Sequence, residues 1–157
     1  MELHLIRHAD AGRATGRDGD QLRELTPSGR EQCAALRGAL ERLGVRYRLL
    51  LCSPWTRARQ TAGELAGLAA AQRDEDLLAA PPGEGLVTRL RLERGRFVAL
   101  VGHEPWLGEL TALLLTGDAG LGDRFPFKKC GLYALRWPEP TELRYVLTPA
   151  LIGGLDL

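Results

Sequence analysis

The sequence predicts an α/β fold with a mainly parallel central sheet, in one domain spanning residues 1–157. Two observations carry this. Short apolar runs of strand length alternate with longer stretches whose apolar residues recur every three or four positions. The first three runs each end in a polar cluster, and a helix-start signal follows each of them, the order of strand, crossover and next parallel strand. A chain of 157 residues is about one domain. At that size roughly 68–70% of the unfolded surface is buried on folding, so a substantial core is expected.

Leu3, Leu5 and Ile6 form a buried strand that ends at Arg7-His8. Residues 9–24 contain Gly12, Gly16, Gly19 and seven charges, and read as a loop. Thr26-Pro27 opens a helix, because Thr caps and Pro suits the first helical position. Cys33, Leu36, Leu40 and Leu43 then mark one apolar face until Gly44 stops the helix. Residues 47–52, with Leu49-Leu50-Leu51 inside, are a second buried strand. Ser53-Pro54 opens a second helix with Ala58, Ala62, Leu65, Ala66 and Ala69 on one side. Residues 70–85 show no clear period; Asp74-Glu75-Asp76 reads as a solvated acidic run and Pro81-Pro82 as a breaker. A third helix is expected over 84–94, through Leu86, Val87, Leu90 and Leu92. Residues 97–101 are a third strand, ending at Gly102-His103, and Glu104-Pro105 opens a fourth helix that buries Trp106, Leu107, Leu110, Leu113 and Leu114. A Gly-rich, charged loop covers 117–129. Residues 132–137 and 143–147 are two strands joined across Pro138-Glu139-Pro140.

Composition excludes several function classes. Hydrophobic residues make up 45% and charged residues 26%, as in an ordinary globular domain. No apolar run reaches the ~18 residues of a membrane span. Met1 to His8 carries charge too early for a secretory signal core. A net charge of +1 argues against a general nucleic-acid or anionic-membrane binder. Cys33, Cys52 and Cys130 form no C-x-x-C pair, so neither a disulfide framework nor a zinc knuckle is expected, and a reducing cytoplasm is the expected location.

Three polar clusters fall at the carboxyl ends of the first three strands, where open α/β sheets hold their ligands. They are Arg7-His8, Ser53 to Ala58 with Arg57 inside, and Gly102-His103-Glu104. Arg makes forked hydrogen bonds to phosphate and stays charged at any relevant pH. Two of them neutralise a phosphoryl dianion and the charge that spreads over its oxygens during transfer. A neutral His attacks phosphorus and holds the group as a covalent intermediate, and a second His donates hydrogen bonds to the transferring oxygens. His4, by contrast, is expected to face a neighbouring strand or solvent. Trp55 and Trp106 sit beside the clusters as packing residues or walls of the site. Cys52 lacks the loop and following Arg of a cysteine phosphatase and reads as core.

Leu5-Ile6-Arg7-His8-Ala9, Ser53-Pro54-Trp55-Thr56-Arg57-Ala58-Arg59-Gln60-Thr61 and Val101-Gly102-His103-Glu104-Pro105 together resemble the histidine phosphatase superfamily, also called phosphoglycerate mutase-like. The short chain, Leu25-Thr26-Pro27-Ser28-Gly29 and the S-P-x-x-R-A-x-x-T string are most similar to its small phosphohistidine phosphatase branch, the SixA type. The resemblance spans roughly residues 2–109. It implies a three-layer α/β/α sandwich and hydrolysis through a phosphohistidine intermediate, with His8 as nucleophile and Arg7, Arg57 and His103 as the phosphate pocket. It implies no metal and no organic cofactor. Two departures stand out. The family's usual Gly after the first R-H is Ala9 here, and no carboxylate matches the proton donor of larger members. Glu84, Asp18 and Asp20 are the candidates for that role.

A departing imidazole has a conjugate-acid pKa near 6.5 and leaves without a dedicated acid, unlike an alkoxide. The expected substrate is therefore a protein phosphohistidine. A phosphatase or mutase acting on a small phosphorylated metabolite is the nearest rival, and a non-catalytic phosphate-binding module is the rival from another class.

Overall fold

The computed structural model describes residues 1–17 and 19–154. Six strands form one sheet in the order β3-β2-β4-β1-β5-β6. They are β1 (Glu2–Arg7), β2 (Leu49–Cys52), β3 (Gln72–Asp74), β4 (Phe97–Gly102), β5 (Leu132–Arg136) and β6 (Glu142–Leu147). The first four are mutually parallel, and the β5–β6 hairpin joins antiparallel to β1. The helices are α1 (Pro27–Arg42), α2 (Thr56–Leu65), α3 (Glu84–Arg91), α4 (Trp106–Thr116) and α5 (Pro149–Gly154).

The period-2 geometry of a strand sends alternate side chains to opposite faces, and both faces of this sheet are covered. Ile6, Leu50, Cys52, Ala99, Val101 and Leu132 point into one core with α1, α2 and α5, where Cys33, Leu36, Leu40, Ala58, Ala62, Leu65 and Ile152 meet them. Leu3, Leu5, Leu49, Leu51, Val98 and Leu100 point into the other core with α3 and α4, against Leu86, Leu90, Leu107 and Leu110. That is the three-layer sandwich, and the continuous apolar runs of β2 and β4 are the mark of strands buried on both faces. Each fully buried Leu contributes about 1.5–3 kcal/mol of transfer free energy.

Some expected elements end elsewhere. Leu43 and Leu92 are the residues that follow α1 and α3 rather than members of an apolar face, and both are exposed. Helix α2 begins at Thr56, and Ala66 opens a short 3-10 turn after it. Residues 70–85 hold the edge strand β3 and a 3-10 turn over Asp76–Ala79. Strand β3 is exposed at all three positions, so it carries no apolar alternation to read. The acidic run is partly structural: Asp74 binds Arg59, and Glu75 pairs with Arg89. His4 is wholly buried, not solvent-facing: its Nδ1 meets Tyr47 Oη at 2.8 Å, and its Nε2 meets Glu2 Oε1 at 2.9 Å.

The Leu25-Thr26-Pro27-Ser28-Gly29 segment anchors the loop after β1. Thr26 Oγ1 accepts from Gly29 N at 3.0 Å and donates to Asp10 Oδ2 at 2.6 Å, and Thr26 N donates to the Asp10 carbonyl at 3.0 Å. The first turn of α1 lies so close that a Cβ on Gly29 would sit 2.1 Å from the Asp10 carbonyl oxygen. Among the described residues no helix is long and apolar enough to cross a membrane.

Candidate active site

Strands β2, β4 and β1 are parallel neighbours in register, with Arg7 opposite Gly102 and Cys52 opposite Val101. Their carboxyl ends therefore coincide, and His8, Ser53 and His103 leave the sheet side by side. The ladder runs one bond further: His8 N donates to Gly102 O at 3.0 Å and Ser53 N to Val101 O at 2.9 Å. The rings of His8 and His103 lie 5.2 Å apart between centroids. Arg57, in the first turn of α2, reaches across to His8. All four of His8, Ser53, Arg57 and His103 are buried, and Arg7 is half-buried.

Hydrogen bonding defines the state of His8. Its Nδ1 lies 2.8 Å from the Ala9 carbonyl, which can only accept, so Nδ1 carries the proton. Arg57 Nε donates to His8 Nε2 at 3.1 Å, so Nε2 presents a lone pair. Burial holds the His8 pKa down to about 4; the Ala9 carbonyl opposes this, and the charges of Arg57 and Arg7 reinforce it. The ring is thus neutral at pH 7 with its free nitrogen facing the guanidinium. Ala9, where the family has Gly, is accommodated: it is fully buried and its N–H donates to Thr61 Oγ1 at 3.0 Å. Thr61 Oγ1 donates in turn to the Arg57 carbonyl at 2.8 Å, tying the two motifs together.

His103 is held to about 3 by burial first and then by His8 and Arg57. Its Nε2 meets Ser53 Oγ at 2.8 Å, and that hydroxyl also accepts from Trp55 N at 3.3 Å. In the tautomer where the Ser53 hydroxyl donates to Nε2, Nδ1 carries the ring proton as an N–H donor. Ser53 read as a helix opener in the sequence; here it orients a histidine instead, and α2 has no side-chain cap. Trp55 packs on His103 with centroids 4.6 Å apart, Trp106 closes the same side at 5.9 Å, and the Arg57 guanidinium lies over the Trp55 ring.

Arg7 is positioned by residues that sequence reasoning missed. Its Nη1 donates to the Phe127 carbonyl at 2.8 Å, and Phe127 N donates to Glu104 Oε1 at 2.7 Å. The other Glu104 oxygen accepts from Gly108 N at 3.0 Å, so one carboxylate fixes both α4 and the loop that holds Arg7. The signal was present as a Glu at a helix start, but its second partner is distant in sequence.

Among the described residues, the only buried side-chain polar atoms without a hydrogen-bond partner are Arg7 Nε and His103 Nδ1. Arg7 Nε is a donor, His103 Nδ1 is one when Ser53 donates to Nε2, and both belong to this cluster. Leaving a buried donor unpaired costs about 1–3 kcal/mol. Two unpartnered nitrogens beside a guanidinium and a neutral imidazole fit an oxyanion with several acceptor oxygens.

The expected proton donors fare differently. Glu84 lines another groove, with Gly117 and Trp137, and Trp137 sits beside Met1 at the amino end of β1, away from His8. Asp20 does reach the cluster: Arg57 Nη1 donates to its carbonyl at 2.5 Å, and Nη2 lies 3.4 Å from its carboxylate. Its hydrogen bond with Arg23 lowers the carboxyl pKa, with Arg57 adding to the shift, so it is ionised and anchors a guanidinium instead of supplying a proton. Asp18 lies outside the described residues.

Residues 3–78 match the sequence model of the histidine phosphatase superfamily, branch 1. An uncharacterized protein of Picosynechococcus sp. is 32% identical over 142 residues, covering 87% of this chain and 85% of that protein. A structure assigned to the phosphohistidine phosphatase SixA of Agrobacterium tumefaciens is 25% identical, with a TM-score of 0.77 over 94% of this chain and 98% of that one. The protein histidine phosphatase SixA complexed with tungstate gives a TM-score of 0.80 at 24% identity, over 96% and 98% of the two chains. The alpha-ribazole phosphatase of Shigella flexneri gives 0.75 at 22% identity over 100% of both. The last two likenesses concern the fold alone.

Proposed function

Given that the chain belongs to the histidine phosphatase superfamily, we propose that it hydrolyses the phosphohistidine of a protein through a phosphorylated His8. The observation that carries this reading is the pair of unpartnered buried nitrogens, Arg7 Nε and His103 Nδ1, beside the His8 lone pair. They supply hydrogen bonds to phosphoryl oxygens, and Arg7 and Arg57 supply the positive charge.

Substrate binding exchanges one bond. The Arg57 Nε–H leaves His8 Nε2 for a phosphoryl oxygen, and the lone pair is released towards phosphorus. Nε2 then forms the new N–P bond while the bond to the leaving nitrogen breaks, and that nitrogen keeps the pair. Nδ1–H···O=C to Ala9 holds the developing imidazolium in place. A water molecule attacks the phosphoryl group in the second step, giving inorganic phosphate and neutral His8. The leaving imidazole has a conjugate acid near pKa 6.5, so it departs readily near neutral pH. This suits a site in which Asp20 is ionised and Glu84 is remote.

The test is trapping. Protein mixed with a ³²P-phosphohistidine peptide and quenched without acid is expected to carry label, and His8→Ala is expected to carry none. Hydrolysis of the phosphohistidine peptide should exceed that of a phosphoserine peptide. Equal or reversed rates would overturn the substrate class and favour a small phosphorylated metabolite, the substrate kind named for the alpha-ribazole phosphatase neighbour. Phosphate binding without label would favour a binding module.

A further inference from the structure

A cleft of about 470 Å³ shares Arg7 with the phosphoryl cluster and is otherwise lined by Gln32, Lys128, Lys129, Thr148 and Pro149. We propose that it docks an acidic segment of the protein substrate next to the phosphorylated residue. This rests on the phosphohistidine reading above and extends it to substrate selection.

The turn that carries the lysines is bound to the catalytic strand end. Arg7 N donates to Gly131 O at 3.0 Å, and Cys130 N donates to His8 O at 3.2 Å. Gly131 N closes the turn onto Lys128 O at 2.8 Å. The turn is tight and strained. Cys130 is the only described non-glycine residue with positive φ, at 54°, and a Cβ on Gly131 would sit 2.8 Å from the Lys128 carbonyl. Left-handed backbone at such a residue costs of order 1–3 kcal/mol and persists where the surroundings enforce it, often at functional sites. Its result is two adjacent exposed ammonium groups one turn away from the nucleophile.

Charge points to the occupant. These are the only lysines in a chain whose other 19 basic residues are arginines. Lys129 pairs with Asp10 at 2.5 Å, which fixes its direction. Lys128 makes no ion pair among the described residues, and Arg7 is bonded to a carbonyl, not to a carboxylate. The lip is therefore cationic. At the start of α5 the lining also offers Pro149 and Ala150, which suit apolar contacts. The cleft draws on the end of β1 at Arg7, Gln32 of α1, Lys128 and Lys129, and the start of α5. A polypeptide with carboxylates flanking its phosphohistidine extends past Arg7 and offers Lys128 a partner.

The experiment compares a phosphohistidine peptide flanked by glutamates with the same peptide flanked by glutamines, and with free phosphoramidate. The wild-type chain should prefer the acidic peptide by about tenfold in kcat/KM, through KM. Lys128→Glu should abolish that preference while leaving phosphoramidate hydrolysis within about twofold, and Lys128→Arg should retain it. The preference should fade in 1 M salt, where the screening length is about 3 Å. Equal turnover of both peptides by the wild-type chain, or an equal loss on all three substrates in Lys128→Glu, would overturn the proposal while leaving the phosphatase reading intact. A charge preference shown only by small carboxylated phosphoramidates would reassign the cleft to a metabolite. Failure of the wild-type chain to hydrolyse phosphoramidate or either peptide would refute the phosphatase reading itself.

Discussion

Lowering the pH from 7 to 5 asks whether His8 is buried without charge. In the unfolded chain a histidine titrates near 6.5 and is almost fully protonated at pH 5. In the folded chain His8 is held to about 4 and takes up only about a tenth of a proton at that pH. The unfolded state binds more protons, so stability falls as pH falls; the loss begins near 6.5 and ends near 4 for this residue. Between pH 7 and 5 it amounts to about 2 kcal/mol, and His103, held to about 3, adds a similar loss. The carboxylates of Glu2, Asp10, Asp20 and Asp74 are depressed in the folded state, so their own losses come below about pH 5, outside this window. Urea midpoints at pH 7 and 5 measure the effect, and His8→Gln, which cannot titrate, should reduce the loss by about 2 kcal/mol. An unchanged pH dependence in that variant would show that His8 is not held neutral by the fold, and the account of its lone pair would fail.

Glu104→Ala leaves Phe127 N without its acceptor and loosens the carbonyl that orients Arg7. Inhibition by inorganic phosphate should weaken about tenfold, with Glu104→Gln recovering part of it; unchanged inhibition at reduced stability would assign Glu104 a purely structural role. Gly29→Ala forces a Cβ against the Asp10 carbonyl and should destabilise the fold by about 1–3 kcal/mol in urea unfolding. Arg59→Ala removes an exposed partner of Asp74 and should leave the urea midpoint essentially unchanged.

Strands β1, β2 and β4 were legible because two-sided burial leaves continuous apolar runs. The clusters behind them were legible because parallel strands bring their carboxyl ends to one edge. Strand β3 was illegible for the opposite reason: Gln72, Arg73 and Asp74 are held by backbone pairing to β2 and bury nothing. At the site, local signals were read by their local meaning. Ser53 and Glu104 both resemble helix openers, yet Ser53 bonds a histidine 50 positions away, and Glu104 bonds a backbone N–H 23 positions away. The strained turn at Cys130 left no trace in composition, since a Cys with positive φ is dictated by its neighbours.

The three histidines show how burial separates structure from chemistry. His4, His8 and His103 all lie on or just beyond strands and all are buried, so neither position nor exposure distinguishes them. Their hydrogen bonds do. Both nitrogens of His4 are partnered, by Tyr47 on one side and by Glu2 and Tyr145 on the other, which closes a network that knits β1 to β6. His103 has one nitrogen fixed by Ser53 and one unpaired. His8 has one nitrogen fixed by Ala9, and its lone pair is held by an arginine that itself can turn to an anion. A satisfied polar group has reached its best arrangement within the fold. An unsatisfied one, kept at a cost of about 1–3 kcal/mol beside a second like it, is the arrangement a polar ligand would complete. The cluster at the strand ends is built of such groups, and the His4 network is not.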